Sequence, residues 1–408
     1  SAVPGAAALG WLDDPAGTEE VYASIGRRLA AAGVTLNLAP VADVNVDPRN
    51  PVIGVRSFSA DPAVAARQVA AAVRGIQRAG VAACAKHFPG HGATSADSHH
   101  EVATIERGLA ELEAVELAPF RAAIGAGTRA VMTGHLLVPS LDERELATVS
   151  HRISTRLLRE QLGFDGAVVT DALEMQAISA TIGMVEGFVR ALQAGADAIE
   201  TGALDYPELI EEIPDAVLAA VRSGRLRLDR LSDAARRTAL LASSGDPAAA
   251  LDPTVVSQIA ARCVEVSGVL PRLQRPFVVE CRSRNGMATG ELPWSVADRI
   301  AEAVPDTLVR LVDGPSSPVE LAALAEVASP AELAGAAAGR SLVVVIRDPA
   351  RNPWQRAVIE LALRQPGAVL VDVGWPTERS TAGLPVVRTR GVAPGLLAAA
   401  VDVLMSVR

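Results

Sequence analysis

Between residues 20 and 245 the chain repeats one pattern: a short apolar run that ends in a polar residue, then a longer amphipathic stretch. The runs are "LNLAPVADVN" (36–45), "VAACAKHF" (81–88), "AVMTGHLLV" (130–138), "GAVVTDALEM" (166–175) and "ADAIET" (196–201). Their apolar cores are continuous rather than alternating, as a strand requires when both faces of a parallel sheet are covered. Helical periodicity fills the gaps at 61–80, 108–127, 154–164 and 185–195. The first of these stretches has Asp61 at the cap, Pro62 in the first turn and Gly80 at the stop. Such alternation folds as a doubly wound α/β sheet or as a (β/α)8 barrel. The polar residues decide between the two. Asp43, Lys86, His87, His135 and Asp171 all fall at C-terminal strand ends; a barrel gathers those ends into one ring, whereas an open sheet spreads them along a crevice. The expected fold is a TIM-type (β/α)8 barrel. Only five strand–helix units are visible where a closed barrel needs eight, so either strands are missing at the start or later ones are disguised.

"SSGDPAAALDP" (243–253) reads as a linker. Beyond it a second α/β pattern begins, with "RPFVVECRS", "DTLVRLVDG", "RSLVVVIRD", "GAVLVDVGW" and "LPVVRTRG" as strands. The expected division is a catalytic barrel at residues 1–245 and a smaller αβα sandwich at 246–408. The second part holds no histidine and no glycine-rich phosphate loop, so a stabilising or loop-supplying role is expected of it. The net charge of −9 and the scarcity of aromatic residues (3%) argue against nucleic-acid and anionic-membrane partners. No charge-free run of about 18 apolar residues offers a membrane span. No signal peptide is visible, and the compartment stays open between cytoplasmic and secreted. Cys84, Cys263 and Cys281 are far apart and odd in number, which fits buried thiols better than a disulfide framework.

The chemistry concentrates in "AKHFPGHGATSADSHH" (85–100). This stretch holds Lys86, the only lysine of the chain, and His87, His91, His99 and His100 of its six histidines. Asp97 stands two residues before His99, a spacing that can set a carboxylate against one imidazole nitrogen and raise the basicity of the other. An imidazole so assisted can give and take a proton near neutral pH. Asp171 emerges from a buried strand as a candidate nucleophile or electrostatic stabiliser; helix capping is its structural alternative. Arg56, in "NPVIGVRSF", offers a planar fork to a substrate oxygen or forms a salt bridge with Asp43 or Asp47. His87, His91, Asp97 and His99 include metal-ligand types, but their intervals match no familiar zinc pattern, and Lys86 beside them would repel a cation. No metal or organic cofactor is expected.

At these residues the chain resembles the bacterial β-N-acetylglucosaminidases of glycoside hydrolase family three, over roughly residues 5 to 240. "KHFPGHGATSADSHH" is similar to that group's long signature, and "LAPVADVNVDPRNPVIGVRSFS", "MTGHLLVP" and "RISTRLLREQLGFDGAVVTDALEM" are similar to its other segments. The resemblance implies a retaining hydrolase with Asp171 as nucleophile and His99, paired with Asp97, as acid/base in place of a second carboxylate. It implies that Lys86 and His87 bind hydroxyls of the terminal sugar and that Arg56 helps to hold it. A neutral imidazole can approach the anionic Asp171 without the like-charge penalty of a second carboxylate. The family carries an earlier strand ending in a D-Q-E-G-G-like segment that has no counterpart here, so the resemblance implies that the first strands of the barrel are absent from this chain. The expected activity is removal of terminal β-linked N-acetylglucosamine from cell-wall fragments (muropeptides) or chitooligosaccharides. Two rivals stand beside it: a β-N-acetylglucosaminide phosphorylase in which phosphate replaces water, and a catalytically inactive carbohydrate-binding protein. His91 and His100 carry no assigned role, and the oligomeric state is open.

Overall fold

The computed structural model describes residues 3–94, 102–202, 207, 209–242, 253–283, 294–314, 335, 337–376 and 383–407. These divide into two compact units. One comprises Asp13–Ile53 with Ser57–Leu251; the other comprises Ser1–Leu12, Gly54–Arg56 and Asp252–Arg408.

The first unit is built on parallel strands β1 (Leu36–Asn37), β2 (Ala82–Phe88), β4 (Ala130–Thr133) and β6 (Ala167–Thr170), in the order β1-β2-β4-β6. Ala198 continues the sheet by bridging Val169 in parallel. Chain order and spatial order run together without reversal, with helices between successive strands. That is the progression of a barrel wall; a doubly wound sheet reverses at its switch point. A separate two-residue ribbon pairs β3 (Ala103–Thr104) with β5 (Leu136–Leu137). Of the wall strands, β2, β4 and β6 are buried nearly throughout, in keeping with their unbroken apolar runs. The helix Pro62–Arg78 begins where its cap dictates, since the Asp61 carboxylate accepts the N–H groups of Ala63 and Val64 at 2.7 and 3.3 Å.

Two helical stretches differ from the sequence pattern. The run 108–127 breaks into Leu109–Ala114 and Leu117–Gly125, and Glu116 in the break is fully buried. The helix at 152–161 is a π-helix, Arg152–Gln161, followed by an N–H of Leu162 that donates to the carbonyl of Leu157, five residues back. Burial of Ile153, Leu157 and Leu158 suits either winding, so periodicity alone could not tell them apart.

The second unit is an αβα sandwich around six strands: β7 (Glu265–Ser267), β8 (Phe277–Arg282), β9 (Leu308–Asp313), β10 (Leu342–Ile346), β11 (Val369–Asp372) and β12 (Val386–Arg388). Their order is β7-β12-β11-β10-β8-β9, parallel except for β7 at one edge. Alternate residues feed two cores. Val279, Val344, Leu370 and Val386 pack with Val358, Ile359 and Ala362 of the helix Gln355–Arg364. Val278, Val343, Val371 and Val387 pack with the helices Val296–Ala303 and Pro394–Met405. Among the described residues no helix is long and apolar enough to cross a membrane.

Candidate active site

The site is assembled where the wall strands end. Ala82 and Cys84 of β2, Ala167 and Val169 of β6, and Ala198 pack in one apolar cluster. The period of two along a strand then puts Lys86, Asp171 and Glu200 on that same side, one step nearer the C-terminal mouth. Burial pushes the Cys84 thiol up to about 12, and the charges of Lys86, Glu200 and Asp171 all reach it from above. Cys84 is thus an inert floor beneath three charged groups. In the pairing of β2 with β4 the register shifts between Lys86 and Phe88. This bulge at His87 re-aims its side chain, a common device beside active sites.

His87 lies between two carboxylates. Its Nδ1 is 2.7 Å from Asp43 Oδ2, and its Nε2 is 4.0 Å from Asp171 Oδ2. An ionised carboxylate can only accept, so Nδ1 carries the proton that faces Asp43. The other Asp43 oxygen accepts the backbone N–H groups of His87 (3.1 Å) and His91 (2.7 Å). One buried carboxylate therefore holds both ends of the loop 87–91 and orients the imidazole that looks toward Asp171. His91 is itself buried, its Nδ1 2.7 Å from Thr94 Oγ1 and its carbonyl accepting from Asn50 Nδ2 at 2.9 Å. That assigns it to loop structure. Two glycines permit the path. A Cβ on Gly92 would stand 1.8 Å from the Val44 carbonyl oxygen, and Gly90, at φ +133°, would bring one to 2.7 Å from Glu116 Cβ.

Asp171 follows β6 directly. Its backbone N–H donates to Thr133 O (3.0 Å), and its Oδ1 accepts from Ala172 N (3.0 Å). The side chain keeps 22% of its surface exposed, enough for approach from the mouth. Burial works to raise its carboxyl; His87, then His135, the Ala172 N–H and Lys86 outweigh burial and hold it below the usual carboxylate range. The result is an ionised oxygen at neutral pH, the state a carboxylate nucleophile needs. The helix after it starts only at Gln176 and takes no side-chain cap from Asp171, so capping does not account for this residue. His135 supports the same turn, with Nε2 2.9 Å from the Ala172 carbonyl and Nδ1 2.7 Å from Thr148 Oγ1. A carbonyl only accepts, so the Nε2 proton lies toward Ala172.

Glu200 is the mouth residue that sequence reasoning passed over. Its N–H donates to Thr170 Oγ1 at 3.1 Å and its carbonyl accepts from Leu173 N at 2.9 Å, locking it level with Asp171. Burial, then the Asp171 charge, raise its carboxyl, while Lys86 opposes them. Its position at the end of "ADAIET" was the available signal, because that end is one more polar strand terminus.

Arg56 lies in the short turn Gly54–Arg56, which groups with the other compact unit; Asp47, one of its alternative partners, pairs with Arg49 at 2.8 Å. Asp97, His99 and His100 lie outside the described residues, as does most of the linker at 243–253. Among the described residues no three His, Cys, Asp or Glu side chains form a cluster fit to hold a metal ion.

Beneath the loop, Glu116 packs against Gly90 and faces Arg107 Nε at 3.3 Å. Burial pushes its carboxyl from 4.5 up to about 7, against the opposing pull of Arg107. The folded protein then holds a proton that the unfolded chain has released, so this group's contribution to stability falls as pH rises from about 4.5 to about 7. At most about 3–4 kcal/mol is involved. The expected result for Glu116→Gln is a melting temperature that declines less than the parent's between about pH 5 and pH 8. Parallel melting curves of variant and parent against pH would refute it.

Comparison with known proteins agrees with this geometry. Residues 1–241 match the glycosyl hydrolase family 3 N terminal domain. "Beta-hexosaminidase A" of Pseudoalteromonas piscicida is 38% identical over 190 residues, 44% of this chain and 32% of the relative. "Beta-hexosaminidase LpqI" of Mycobacterium tuberculosis is 37% identical over 223 residues, 53% of this chain and 56% of the relative. The chain thus spans about half or less of the length of these curated relatives. A solved family 3 β-N-acetylglucosaminidase from Paenibacillus sp. str. FPU-7 superposes with a TM-score of 0.85 at 34% identity, covering 99% of this chain and 80% of that one. Parallel wall, strand-end charges and family match point the same way, and the chain belongs to glycosyl hydrolase family 3.

Proposed function

We propose that the protein is a retaining exo-β-N-acetylglucosaminidase acting on terminal β-linked N-acetylglucosamine of cell-wall fragments, muropeptides included, or chitooligosaccharides. The observation that carries this reading is the ionised Asp171 at the barrel mouth, flanked by Lys86 and by His87, which is itself oriented by Asp43. In the first step an Asp171 oxygen attacks C1 of the sugar while the glycosidic oxygen leaves, taking a proton from His99, which Asp97 orients. A sugar ester on Asp171 forms as the C1–O bond breaks. In the second step water attacks C1, His99 takes its proton, and Asp171 leaves as carboxylate. Lys86 and His87 would grip sugar hydroxyls, and Arg56 would help to hold the same sugar. Residues 1–245 would form the catalytic domain, in keeping with the family match over 1–241, and 246–408 the second domain.

Product analysis tests the reaction type. The expected product from an aryl β-N-acetylglucosaminide is free N-acetylglucosamine, with or without phosphate; sugar 1-phosphate in quantity would replace the hydrolase by a phosphorylase. Absence of turnover on aryl and chitooligosaccharide substrates alike would favour a binding protein.

The single lysine supplies a second test. A compact ammonium and a planar guanidinium are not interchangeable where a sugar hydroxyl must be reached between two carboxylates. Lys86→Arg is expected to lower kcat/KM at least about tenfold. Activity within twofold of the parent would mean that any cation serves at this position.

A further inference from the structure

The C-terminal edge of the sandwich sheet carries a second group of polar side chains that the proposed reaction does not use. β8 stands between β9 and β10, so the chain reverses its direction of travel across the sheet there, and open α/β sheets place ligands at this carboxyl edge. One occupant is already built in at the switch point. Glu280 of β8 accepts the N–H groups of Val296 (2.8 Å) and Ala297 (2.9 Å) and the hydroxyl of Ser295 (3.1 Å), at the start of the helix Val296–Ala303. A protein carboxylate thus fills the place where such folds hold a phosphate, which disfavours an anionic ligand there.

Farther along the same edge two buried polar atoms have no hydrogen-bond partner among the described residues. Asp372 ends β11 with only 1% of its surface exposed. Its Oδ1 accepts from Gly374 N at 3.0 Å, whereas its Oδ2 has no hydrogen bond. Burial pushes this carboxyl up to about 7; the Gly374 N–H, Arg388 and Arg390 work against the shift. Arg390 lies two residues beyond Arg388, the register partner of Asp372 across β11 and β12, and is 8% exposed. Its Nη2 bonds Glu265, while its Nη1 has no hydrogen bond. The guanidinium lies over the ring of Trp11, 4.6 Å from the centroid, and that ring keeps 41% of its surface exposed. A buried polar atom left without a partner is costly, so an acceptor and a donor on adjacent strand ends call for an occupant that satisfies both.

A hydroxyl is the group that donates to one and accepts from the other. Beside an exposed indole, hydroxyls carried on an apolar ring describe a sugar. We infer that Asp372, Arg390 and Trp11 form a binding site for a neutral pyranose sugar, in which one hydroxyl donates to Asp372 Oδ2 and accepts from Arg390 Nη1 and the ring lies against Trp11. The inference is independent of the hydrolase reading, since no catalytic residue takes part in it.

All four tryptophans of the chain (Trp11, Trp294, Trp354 and Trp375) belong to this unit, so intrinsic fluorescence reports on it. Chitotriose and cellotriose are titrated against the full chain carrying Asp171→Asn, which prevents turnover. A saturable fluorescence change with at least one of the two is expected. Asp372→Asn, which keeps all four tryptophans, is expected to weaken that binding at least tenfold. Should Asp372→Asn fail to fold by circular dichroism, Arg390→Gln is read in its place with the same expectation. No saturable response to either sugar would overturn the inference and leave only trapped water at the two atoms. So would a response that the folded variants leave unchanged.

Discussion

Asp171→Asn should remove hydrolysis of an aryl β-N-acetylglucosaminide by a factor on the order of 10⁴ or more, the scale at which loss of a covalent nucleophile is felt. The two side chains have the same shape, and the asparagine oxygen can still accept from Ala172 N, which bonds Asp171 Oδ1 at 3.0 Å. What disappears is the negative charge that His87, His135 and Lys86 stabilise against burial. An amide oxygen has neither the charge nor the basicity to attack C1. The fold should survive, because neutralising Asp171 also relieves its repulsion of Glu200. Steady-state rates paired with a melting curve check both halves. Residual activity within about tenfold of the parent would remove Asp171 from the nucleophile's role, and the retaining mechanism with it.

The second large effect is expected at Asp43, a residue that need not touch the sugar. Its carboxylate takes three donors: the N–H groups of His87 and His91 on Oδ1 and the His87 imidazole on Oδ2. Asparagine brings one acceptor and one donor, so in either orientation an N–H group opposes an N–H group. If the amide nitrogen faces the imidazole, His87 Nδ1 must give up its proton and accept. If it faces the backbone, the loop 87–91 loses both anchors. Asp43→Asn is therefore expected to lower kcat by about 10²-fold, the upper end of what loss of a carboxylate that orients a histidine costs, and less than the ~10⁴ seen where the oriented histidine is itself the general base. Stability should fall by about 1–3 kcal/mol, from buried donors left unpaired. The diagnostic is a loss in kcat larger than any rise in KM, because Lys86, proposed to bind the sugar beside His87, and the nucleophile Asp171 stay in place. A variant with parental kcat and an unchanged pH profile would show that His87 holds its orientation without Asp43.

Much of the architecture was legible from the residues. The wall strands lie where unbroken apolar runs occur, and Asp61, Pro62 and Gly80 bound their helix closely. Lys86, His87 and Asp171 were recognisable because each terminates a buried strand, and β2 and β6 bring those ends to one mouth. The break in the run 108–127 was not legible, since the pattern of apolar residues continues through it. The break holds the buried carboxyl of Glu116, which lies against Gly90 from a remote part of the chain. Glu200 was passed over for a different reason. A single acid at the end of a short run carries no signature until neighbouring strands align it with Asp171.

Local chemistry along the chain thus determined the strand and helix alternation, the barrel class and the strand-end residues, because periodicity and capping act over a few neighbouring residues. Partnership was decided only in three dimensions. Asp43 meets His87 across 44 positions, and the two unpaired atoms of Asp372 and Arg390 come to adjacent strand ends through the register of β11 and β12. The spacing of such pairs in the chain carries no record of their contact. It arises from strand register and from the burial that makes each charged or polar group depend on its partner.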